Sequence, residues 1–304
     1  MKVLFICSGN KKTIISPIVN SQAESLTRIG IHVDIFPVQG SGFFGYLRNL
    51  KSLRKHLRNN KYSILHAHYG MSGILASLAK GNSTLIVSLM GSEVYGSKIW
   101  LYIFRFFSKY LWTKTIVKTS SMAKNMKTRD LHVIPNGVDL NSFFPLEKSI
   151  ARKKINIDSD EPIVLFPANP SRKEKNFELA KKACELSHVK LIWLDNIPHN
   201  LVNYYYNAAD LVLLTSYYEG SPNAIKESMA ANRPIISTDV GDVKELFGNT
   251  PGCIICGYNE KEISSLINDV IGSRFNPGGL ERLVEVGLDD ISIAKRIKEL
   301  YESN

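Results

Sequence analysis

The stretch Asp210–Ala231, DLVLLTSYYEGSPNAIKESMAA, places a short apolar run, a polar loop and a helix-forming segment one after another. The run LVLL at residues 211–214 is typical of a strand buried on both faces, because it does not alternate with polar residues. The segment after the loop predicts a helix, with Pro222 in its first turn and Ser221 as the N-cap. The stretch therefore predicts a helix whose unpaired first amides lie beyond the carboxyl end of a buried strand.

The same order of elements recurs along the chain. In the first half, helical patterns over Ser16–Arg28 and Tyr46–Leu57 alternate with short aliphatic or β-branched runs. The runs that predict strands are Val3–Cys7, His32–Phe36, Ile64–His66, Leu85–Leu89, Thr115–Lys118, His132–Ile134, Ile163–Pro167, Lys190–Leu194, Leu211–Thr215 and Pro234–Ser237. Regular alternation of this kind predicts mostly parallel sheets with helices on both faces. The fold class is therefore α/β, with two Rossmann-like layers in series.

The length of 304 residues favours two domains, at about 150 residues each. A turn cluster at Pro135–Asp139 and a charged stretch at Leu146–Pro162 mark the boundary. We place the first domain at residues 1–142 and the second at 143–290, with a C-terminal helix at 291–304 that can pack back on the first. Open parallel sheets bind ligands beyond the carboxyl ends of their strands, so we expect a cleft between the two domains.

Composition excludes several classes of protein. Hydrophobic residues make up 44% of the chain and charged residues 22%, which excludes disordered, collagen-like and coiled-coil proteins. The apolar run at the start is too short for the core of a signal peptide. The longest apolar run elsewhere, Ile99–Phe104, falls far short of the about 20 residues that span a bilayer. We therefore expect no membrane-spanning segment and a cytoplasmic protein.

Four cysteines are too few for a disulfide framework in a chain of this length, which favours a reducing compartment. Cys253 and Cys256 have the spacing of a redox pair or of half a zinc site. No second pair exists to complete four zinc ligands, and CIIC is typical of a short buried strand. We interpret the pair as structural and expect no metal site.

The formal net charge is +10, and it is distributed unevenly. Residues 1–142 contain 19 basic and 5 acidic side chains, whereas residues 143–304 contain 19 basic and 23 acidic ones. A basic half attracts polyanions, which include nucleic acid, an anionic lipid surface and a phosphorylated substrate.

The motif Gly40–Gly45, GSGFFG, has the glycine spacing of a dinucleotide-binding loop. That loop needs an acidic residue about 20 positions later, and the next acidic residue here is Glu93. The motif also follows the second predicted strand, whereas a dinucleotide-binding domain uses the first. We interpret it as a glycine-rich connector and not as an NAD site.

Two acidic residues flank the predicted helix start. Glu219 lies in the loop, and Glu227 lies about one turn inside the helix. Amides at a helix start suit a phosphate, whereas carboxylates are poor phosphate ligands but accept hydrogen bonds from sugar hydroxyls. The alternative is that both are ordinary acids favoured near a helix N-terminus by the helix dipole. The pattern indicates a site for a phosphorylated sugar compound.

A second candidate phosphate site follows the predicted strand Ile163–Pro167. Here the turn ANPSRKEKN places Arg172 and Lys175 at the carboxyl end of a neighbouring strand. A guanidinium and an ammonium can hold a diphosphate without a metal. An ordinary charged surface turn is the alternative.

These residues together resemble glycosyltransferase family four. The resemblance is carried by HVIPNGVD at residues 132–139, by Arg172 and Lys175, and by Glu219 and Glu227 with seven residues between them. The segment MAANRPIISTDVGDVKEL at residues 229–246 is similar to the same family. The resemblance covers nearly the whole chain. It implies the GT-B fold, in which the second of two Rossmann-like domains mainly holds a nucleotide-sugar donor and the first holds the acceptor.

The resemblance also implies roles for single residues. Arg172 and Lys175 would hold the donor diphosphate, Glu227 the ribose hydroxyls and Glu219 the transferred sugar. The implied donor-binding residues are Gly9, Arg172, Lys175, Glu219, Gly220, Ser221, Pro222, Asn223 and Glu227, of which Glu219, Lys175 and Arg172 are the implied catalytic residues. Gly9 would approach the phosphates from the first domain. Such enzymes retain the anomeric configuration and typically use no essential metal, because fixed donors stabilise the leaving diphosphate. The co-substrate would be a UDP- or GDP-linked sugar.

One position departs from the family pattern. Many members have a histidine at the end of the fourth strand, where this chain has Met90 followed by Gly91. A histidine contact to the transferred sugar is then missing or comes from elsewhere, and His66 and His68 at the end of the third strand are the substitutes. We interpret His66 as a packed residue and His68 as the functional candidate. We therefore assign His68, Met90 and Gly91 to the acceptor side.

Two basic segments of the first half suit an anionic lipid surface. Residues 46–61 carry six basic side chains and no acid, with leucines on one helical face. Residues 97–118 interleave seven aromatic side chains with basic ones. Basic and aromatic residues on amphipathic helices bind lipid interfaces, but the apolar residues could instead face the domain core. We predict attachment to the inner face of the cell membrane.

The sequence therefore predicts a retaining, metal-independent glycosyltransferase of cell-surface polysaccharide synthesis, with a glycan or lipid-linked acceptor. Two alternatives share the fold: a GT-B epimerase, and a non-catalytic protein that binds a nucleotide-sugar, which Met90 favours. Nucleic-acid binding is a third option, prompted by the charge, but no motif that reads RNA or DNA is present, so we do not expect nucleic acid as a partner.

Overall fold

The structure is a computed structural model that describes residues 1–9, 15–273 and 276–303. The chain divides into two compact units: the first comprises Met1–Gly137 and Asp290–Asn304, and the second comprises Val138–Asp289. Each unit has its own parallel sheet, which confirms the predicted fold class. All ten predicted strands are present, and their bounds differ from the prediction by at most a few residues.

The sheet of the first unit has six parallel strands in the order β2-β1-β3-β4-β5-β6. The strands are β1 (Lys2–Ser8), β2 (His32–Val38), β3 (Ile64–His68), β4 (Thr84–Ser88), β5 (Lys114–Val117) and β6 (Leu131–Val133). The helices are α1 (Pro17–Arg28), α2 (Gly42–Leu47), α3 (Leu50–Asn59), α4 (Gly70–Ala79), α5 (Ser92–Tyr95), α6 (Lys98–Tyr110) and α7 (Ser120–Met126). The central strands are almost fully buried because helices cover both faces of the sheet.

The predicted helix over Tyr46–Leu57 is wrong in one respect, because the structure divides it into α2 and α3. The break lies at Asn49, whose side-chain amide donates to the carbonyl oxygens of Gln39, Gly45 and Tyr46. These bonds hold the chain in a turn that a continuous helix could not make. The leucines after the break pack into the domain core, and the basic residues of α3 are exposed to solvent.

The sheet of the second unit has five parallel strands in the order β11-β10-β9-β7-β8. The strands are β7 (Ile163–Phe166), β8 (Lys190–Trp193), β9 (Leu211–Leu214), β10 (Ile235–Thr238) and β11 (Cys253–Cys256). The helices are α8 (Lys148–Lys154), α9 (Phe177–Ser187), α10 (His199–Ala208), α11 (Asn223–Ala230), α12 (Val243–Phe247), α13 (Glu260–Gly272) and α14 (Gly279–Glu285). The cysteine pair forms strand β11, where burial raises the pKa of both thiols to about 12.

The chain passes from the first unit to the second at residues 137–138, a few residues before the boundary placed from the sequence. Val138 already belongs to the second unit, because its N–H donates to the Leu288 carbonyl at 3.0 Å. The charged stretch that follows contains α8, whose buried Arg152 bonds to the Ala208 carbonyl and the Asp210 carboxylate. The stretch is therefore part of the second unit's structure.

The last helix, α15 (Asp290–Glu302), belongs to the first unit. It packs against α1, where Arg28 forms an ion pair with Asp290. Lys114, at the start of β5, donates to the Leu300 carbonyl at 3.1 Å. In the described part of the chain, no helix is both long enough and apolar enough to cross a membrane.

Candidate functional site

Two loops of the second unit meet at the carboxyl ends of the neighbouring strands β7 and β9. The loop after β7 ends in a single 3-10 turn, Lys173–Lys175. The Tyr217 N–H donates to the Glu174 carbonyl at 2.9 Å. The Thr215 hydroxyl lies within hydrogen-bond distance of the carbonyl oxygens of Lys175, at 3.1 Å, and Asn176, at 3.0 Å. These bonds fix the two loops against each other, so residues more than 40 positions apart become neighbours.

The contact that results is an ion pair between Lys175 and Glu219. Lys175 is only 7% exposed, and its ammonium donates to Oε1 of Glu219. The Ser216 hydroxyl donates to the same oxygen at 2.8 Å. Among the described residues, none donates to the second carboxylate oxygen of Glu219. The pair therefore presents a fixed cation beside a carboxylate oxygen that can accept a further hydrogen bond.

Arg172 lies in the same loop, but its side chain is more than half exposed. Its Nε donates to Oε1 of Glu174 at 2.7 Å. Burial acts to raise the pKa of Glu174. A hydrogen bond from its own amide, and the hydrogen bond and charge of Arg172, outweigh burial, so the pKa is lowered overall. Arg172 is thus a solvated cation held at the edge of the loop, whereas Lys175 is held inside it.

The predicted N-cap at Ser221 is wrong. Helix α11 begins at Asn223, and Pro222 occupies the N-cap position without a side-chain capping bond. The Ser221 hydroxyl instead faces the carboxyl group of Asp242. Pro222 has no N–H, so the first amide of the helix belongs to Asn223.

Gly220 is in close contact with a third loop, the one after β10. Gly241 has a left-handed backbone with φ of +63°, and a Cβ atom added there would lie 2.0 Å from the Gly220 carbonyl oxygen. A side chain at position 241 would therefore push the two loops apart. The close approach and the positive φ explain why this chain has a glycine at position 241.

Glu227 lies on α11 beneath these loops. The hydroxyl of the fully buried Tyr206 donates to its Oε2 at 2.8 Å. Burial raises the pKa of Glu227, although this bond and the charge of Lys226 act against the rise. Burial also lowers the pKa of Lys226 to about 8, although Asp242 and Glu227 attract its charge. Glu227 is therefore oriented by α10 and not by any of the residues predicted from the sequence.

Tyr206, Ser216, Lys226 and Asp242 contact or face the predicted site and were not predicted. The sequence could have indicated Lys226, because it places a lysine on the apolar face of the predicted helix next to an acid, and a buried lysine is uncommon. Tyr206 follows two other tyrosines, and nothing in the sequence separates the three.

The remaining predicted residues lie in the first unit. Gly9 follows β1, and its N–H donates to the Val38 carbonyl at 2.8 Å. An added Cβ atom there would lie 2.8 Å from Pro37 and from Gln39, so a glycine is needed for packing alone. The Met90 N–H donates to the buried carboxylate of Glu93 at 3.2 Å, and Gly91 precedes α5. Glu93 thereby fixes the loop that carries Met90 and Gly91.

The two histidines of β3 differ in their contacts. His66 is fully buried and hydrogen bonds with the Tyr301 hydroxyl at 2.6 Å and the Ser88 hydroxyl at 2.8 Å. His68 stacks on His66 with a ring separation of 4.4 Å, and among the described residues neither of its ring nitrogens has a hydrogen-bond partner. His66 is therefore a packed residue with satisfied nitrogens, whereas His68 is 2% exposed and both of its nitrogens are buried without a partner among the described residues.

Acid is expected to destabilise the first unit through His66. Burial, with a smaller effect of the Lys118 charge, lowers the pKa of His66 to about 3, whereas an unfolded histidine has a pKa of about 6.5. The unfolded state then binds more protons, so His66 alone lowers the stability by about 1.4 kcal/mol per pH unit as the pH drops below about 6.5. His68, whose pKa burial also lowers, acts in the same direction. Urea unfolding between pH 4 and 7 measures this slope.

The variant His66→Gln should have a shallower slope over the same range. His32→Gln, which replaces an exposed histidine of the same unit, is the matched control and should keep the parental slope. Equal slopes for the two variants would show that His66 does not carry the acid sensitivity.

Sequence models of two families match the chain. One, described as glycosyl transferases group 1, matches residues 161–273, and the other, described as glycosyl transferase 4-like, matches residues 8–120. Together they match more than half of the chain. The chain belongs to the family-four type of glycosyltransferases.

Relatives of this glycosyltransferase family include TuaC of Bacillus subtilis (strain 168), which is provisionally assigned to teichuronic acid biosynthesis. It is 28% identical over 217 residues, which cover 61% of this chain and 55% of TuaC. The chain thus spans about half the length of this curated relative.

Solved structures with the same fold share less sequence. Sucrose-phosphate synthase of Thermosynechococcus elongatus has a TM-score of 0.84 at 16% identity, over 100% of this chain and 98% of that chain. Anabaena Alr3699/HepE in complex with UDP has a TM-score of 0.76 at 16% identity, over 100% of both chains. UDP-GlcNAc 2-epimerase of Methanocaldococcus jannaschii has a TM-score of 0.63 at 12% identity, again over 100% of both chains. These likenesses support the GT-B fold expected from the sequence.

Proposed function

We propose that the protein transfers a sugar, with retention of its anomeric configuration, from a nucleotide diphosphate to a glycan or lipid-linked acceptor. The observation that carries the proposal is the buried Lys175–Glu219 pair at the carboxyl ends of β7 and β9. It combines a fixed cation for a leaving diphosphate with a carboxylate for a sugar hydroxyl. TuaC supports a role in the synthesis of a cell-surface polysaccharide, and HepE, which binds UDP, supports a nucleotide donor.

The proposed chemistry depends on electrostatic stabilisation. The bond between the anomeric carbon and a diphosphate oxygen breaks, and negative charge develops on the diphosphate. The acceptor hydroxyl oxygen bonds to that carbon and gives its proton to the departing diphosphate oxygen. Lys175 and Arg172 stabilise that charge, and the amides that follow Pro222 add further donors. When the diphosphate takes bonds from Lys175, Glu219 becomes a stronger acceptor for the transferred sugar. No metal is required in this proposal.

The other roles are proposals of the same kind. Glu227 accepts hydrogen bonds from the donor ribose, and Gly9 provides a backbone without a side chain beside the phosphates. His68, with Met90 and Gly91, contacts the acceptor side, since the unpaired ring nitrogens of His68 suit a hydroxyl. The enzyme acts at the inner face of the cell membrane, where a lipid-linked acceptor is present.

Release of nucleoside diphosphate tests the function. The purified protein is incubated with UDP- and GDP-sugars, each with and without glycan and lipid-linked acceptors. Release that depends on the acceptor, with an α-configured product from an α-configured donor in NMR spectra, is the expected result. Binding of a donor without turnover would favour a non-catalytic protein. Isomerisation of the donor without an acceptor would favour an epimerase, which the similarity to UDP-GlcNAc 2-epimerase makes the second candidate.

A further inference from the structure

Helix α6 carries a row of exposed apolar side chains along one side. Ile99 is 72% exposed, Tyr102 65%, Phe106 55% and Tyr110 61%. At about 100° per residue, these four positions span about 80° of the helix circumference. We call these four residues the α6 stripe. Soluble surfaces rarely present large side chains in such a continuous row, so the stripe indicates an interaction surface.

The stripe is not the side of α6 that holds the helix to its domain. Phe104 and Ser108 are buried on the opposite side, and Phe107 packs against the core cluster of the first unit. The Ser108 hydroxyl also hydrogen bonds with the Thr115 hydroxyl at 2.8 Å. The aromatic residues of this segment therefore divide into two sets, and only one set faces the core.

Three basic side chains flank the stripe on one side. Lys98, Arg105 and Lys109 lie within about 40° of each other on the helix circumference, beside the stripe. Arg105 lies over the Tyr102 ring at 5.3 Å, and Lys109 lies over the Tyr110 ring at 5.0 Å. The Arg105 guanidinium also donates to the Asn125 carbonyl oxygen, so the exposed ammonium groups of Lys98 and Lys109 are the ones that stand free at the margin of the apolar surface, where the head groups of a bilayer would lie.

Helix α2 lies beside α6, next to Trp100, which is about 80° around the helix from the stripe and on the side away from the basic residues. Phe44 is among the most exposed apolar residues of the chain, and Phe43 beside it contacts the ring of Trp100 on α6. Both belong to the glycine-rich connector GSGFFG. Its sharp turn is possible because Gly40 and Gly42 have positive φ angles, and it places the two phenylalanines at the surface instead of in the core.

We propose that α6 and α2 bind the interface of an anionic lipid bilayer, with the stripe and Phe44 inserted and the basic residues on the head groups. Amphipathic helices with aromatic and basic residues bind such interfaces, and each cation near the surface adds to binding. The excess of basic residues in the first half of the chain matches an anionic surface. The inference deepens the membrane part of the proposed function by naming the surface that binds.

Flotation with lipid vesicles tests the proposal without any activity measurement, so it can fail independently of the proposed function. The full chain should bind vesicles of phosphatidylcholine with about one third phosphatidylglycerol, and bind pure phosphatidylcholine weakly. Binding should weaken as salt is raised, because exposed charges are screened. The double variant Ile99→Ser/Phe106→Ser should lower the partition coefficient by at least about tenfold.

The matched control is Ile150→Ser/Leu186→Ser, which replaces two exposed apolar residues on helices of the second unit. It should bind vesicles as the parent does. Since all four residues are exposed, folding should persist, and thermal unfolding checks this. A second variant, Lys98→Gln/Lys109→Gln, should bind the anionic vesicles more weakly than the parent and reduce the salt dependence. Equal binding by the stripe variant and the control would overturn the proposal. The proposal would also be overturned if the parent does not bind vesicles but forms a dimer that the variant Ile99→Ser/Phe106→Ser dissociates. The stripe would then bind a second copy of the chain.

Discussion

Replacing Lys175 with methionine is expected to lower kcat by about 100- to 1,000-fold, the effect of removing one fixed donor from a developing anion. The ammonium is buried and held by Glu219, so it requires little reorganisation when charge develops on the diphosphate. Steady-state release of nucleoside diphosphate measures the effect. KM for the donor should change less than kcat, because the interaction strengthens as the bond breaks.

Lys173 provides the matched control for this experiment. It lies in the same 3-10 turn, carries the same charge and is exposed. Lys173→Met should therefore keep kcat within about threefold of the parent, because Lys173 is not assigned to the diphosphate and its ammonium, unlike that of Lys175, does not pair with Glu219. If both variants keep the parental kcat, Lys175 does not stabilise the leaving group.

The loss of Lys175 also leaves Glu219 without its cation in a partly buried place, which destabilises the fold. The double variant Lys175→Met/Glu219→Gln, compared with Glu219→Gln alone, separates this effect from catalysis, because a neutral amide needs no cation and both variants lack the Glu219 carboxylate. Thermal stability should recover in the double variant, whereas kcat should remain well below that of Glu219→Gln. Recovery of kcat together with stability would mean that Lys175 serves only to neutralise Glu219.

The strands could be predicted because each central strand of a parallel sheet is buried on both faces. A short, entirely apolar run such as LVLL at residues 211–214 therefore predicts a buried strand. The break between α2 and α3 could not be predicted in this way. It depends on the Asn49 side chain reaching the Gln39 carbonyl, and the leucine pattern continues across the break as if one helix were present.

Lys175 and Glu219 could be predicted as members of the candidate site, but their pairing could not. Glu219 and Lys175 were expected to hold different parts of a donor, and the structure shows an ion pair between them. That pair depends on Thr215 and Tyr217, whose bonds to the neighbouring loop are fixed only when β7 and β9 lie side by side. Likewise, the aromatic residues of α6 are alike in composition, and only the packed helix shows which of them face solvent.

Replacing Glu227 with alanine is expected to weaken donor binding by about 10- to 100-fold, the cost of leaving hydroxyl groups unpaired. The carboxylate is oriented by Tyr206, so Tyr206→Phe should produce a smaller loss in the same direction. Since burial raises the pKa of Glu227, donor affinity should fall as the pH drops through that pKa and the carboxylate becomes protonated. Glu227→Gln should remove this part of the pH dependence.

A donor analogue identifies the group that Glu227 binds. The affinity of the preferred nucleoside diphosphate is compared with that of its 2′-deoxy counterpart by calorimetry, for the parent and for Glu227→Ala. If the carboxylate binds the ribose, removal of the hydroxyl weakens binding to the parent but has little further effect in the variant, since the two changes remove the same contact. Equal losses in both proteins would place Glu227 away from the ribose. The hydrogen bond from Tyr206 to Glu227 would then be a structural contact between α10 and α11. The Glu227 carboxylate would belong to the packing of these helices and not to the donor site.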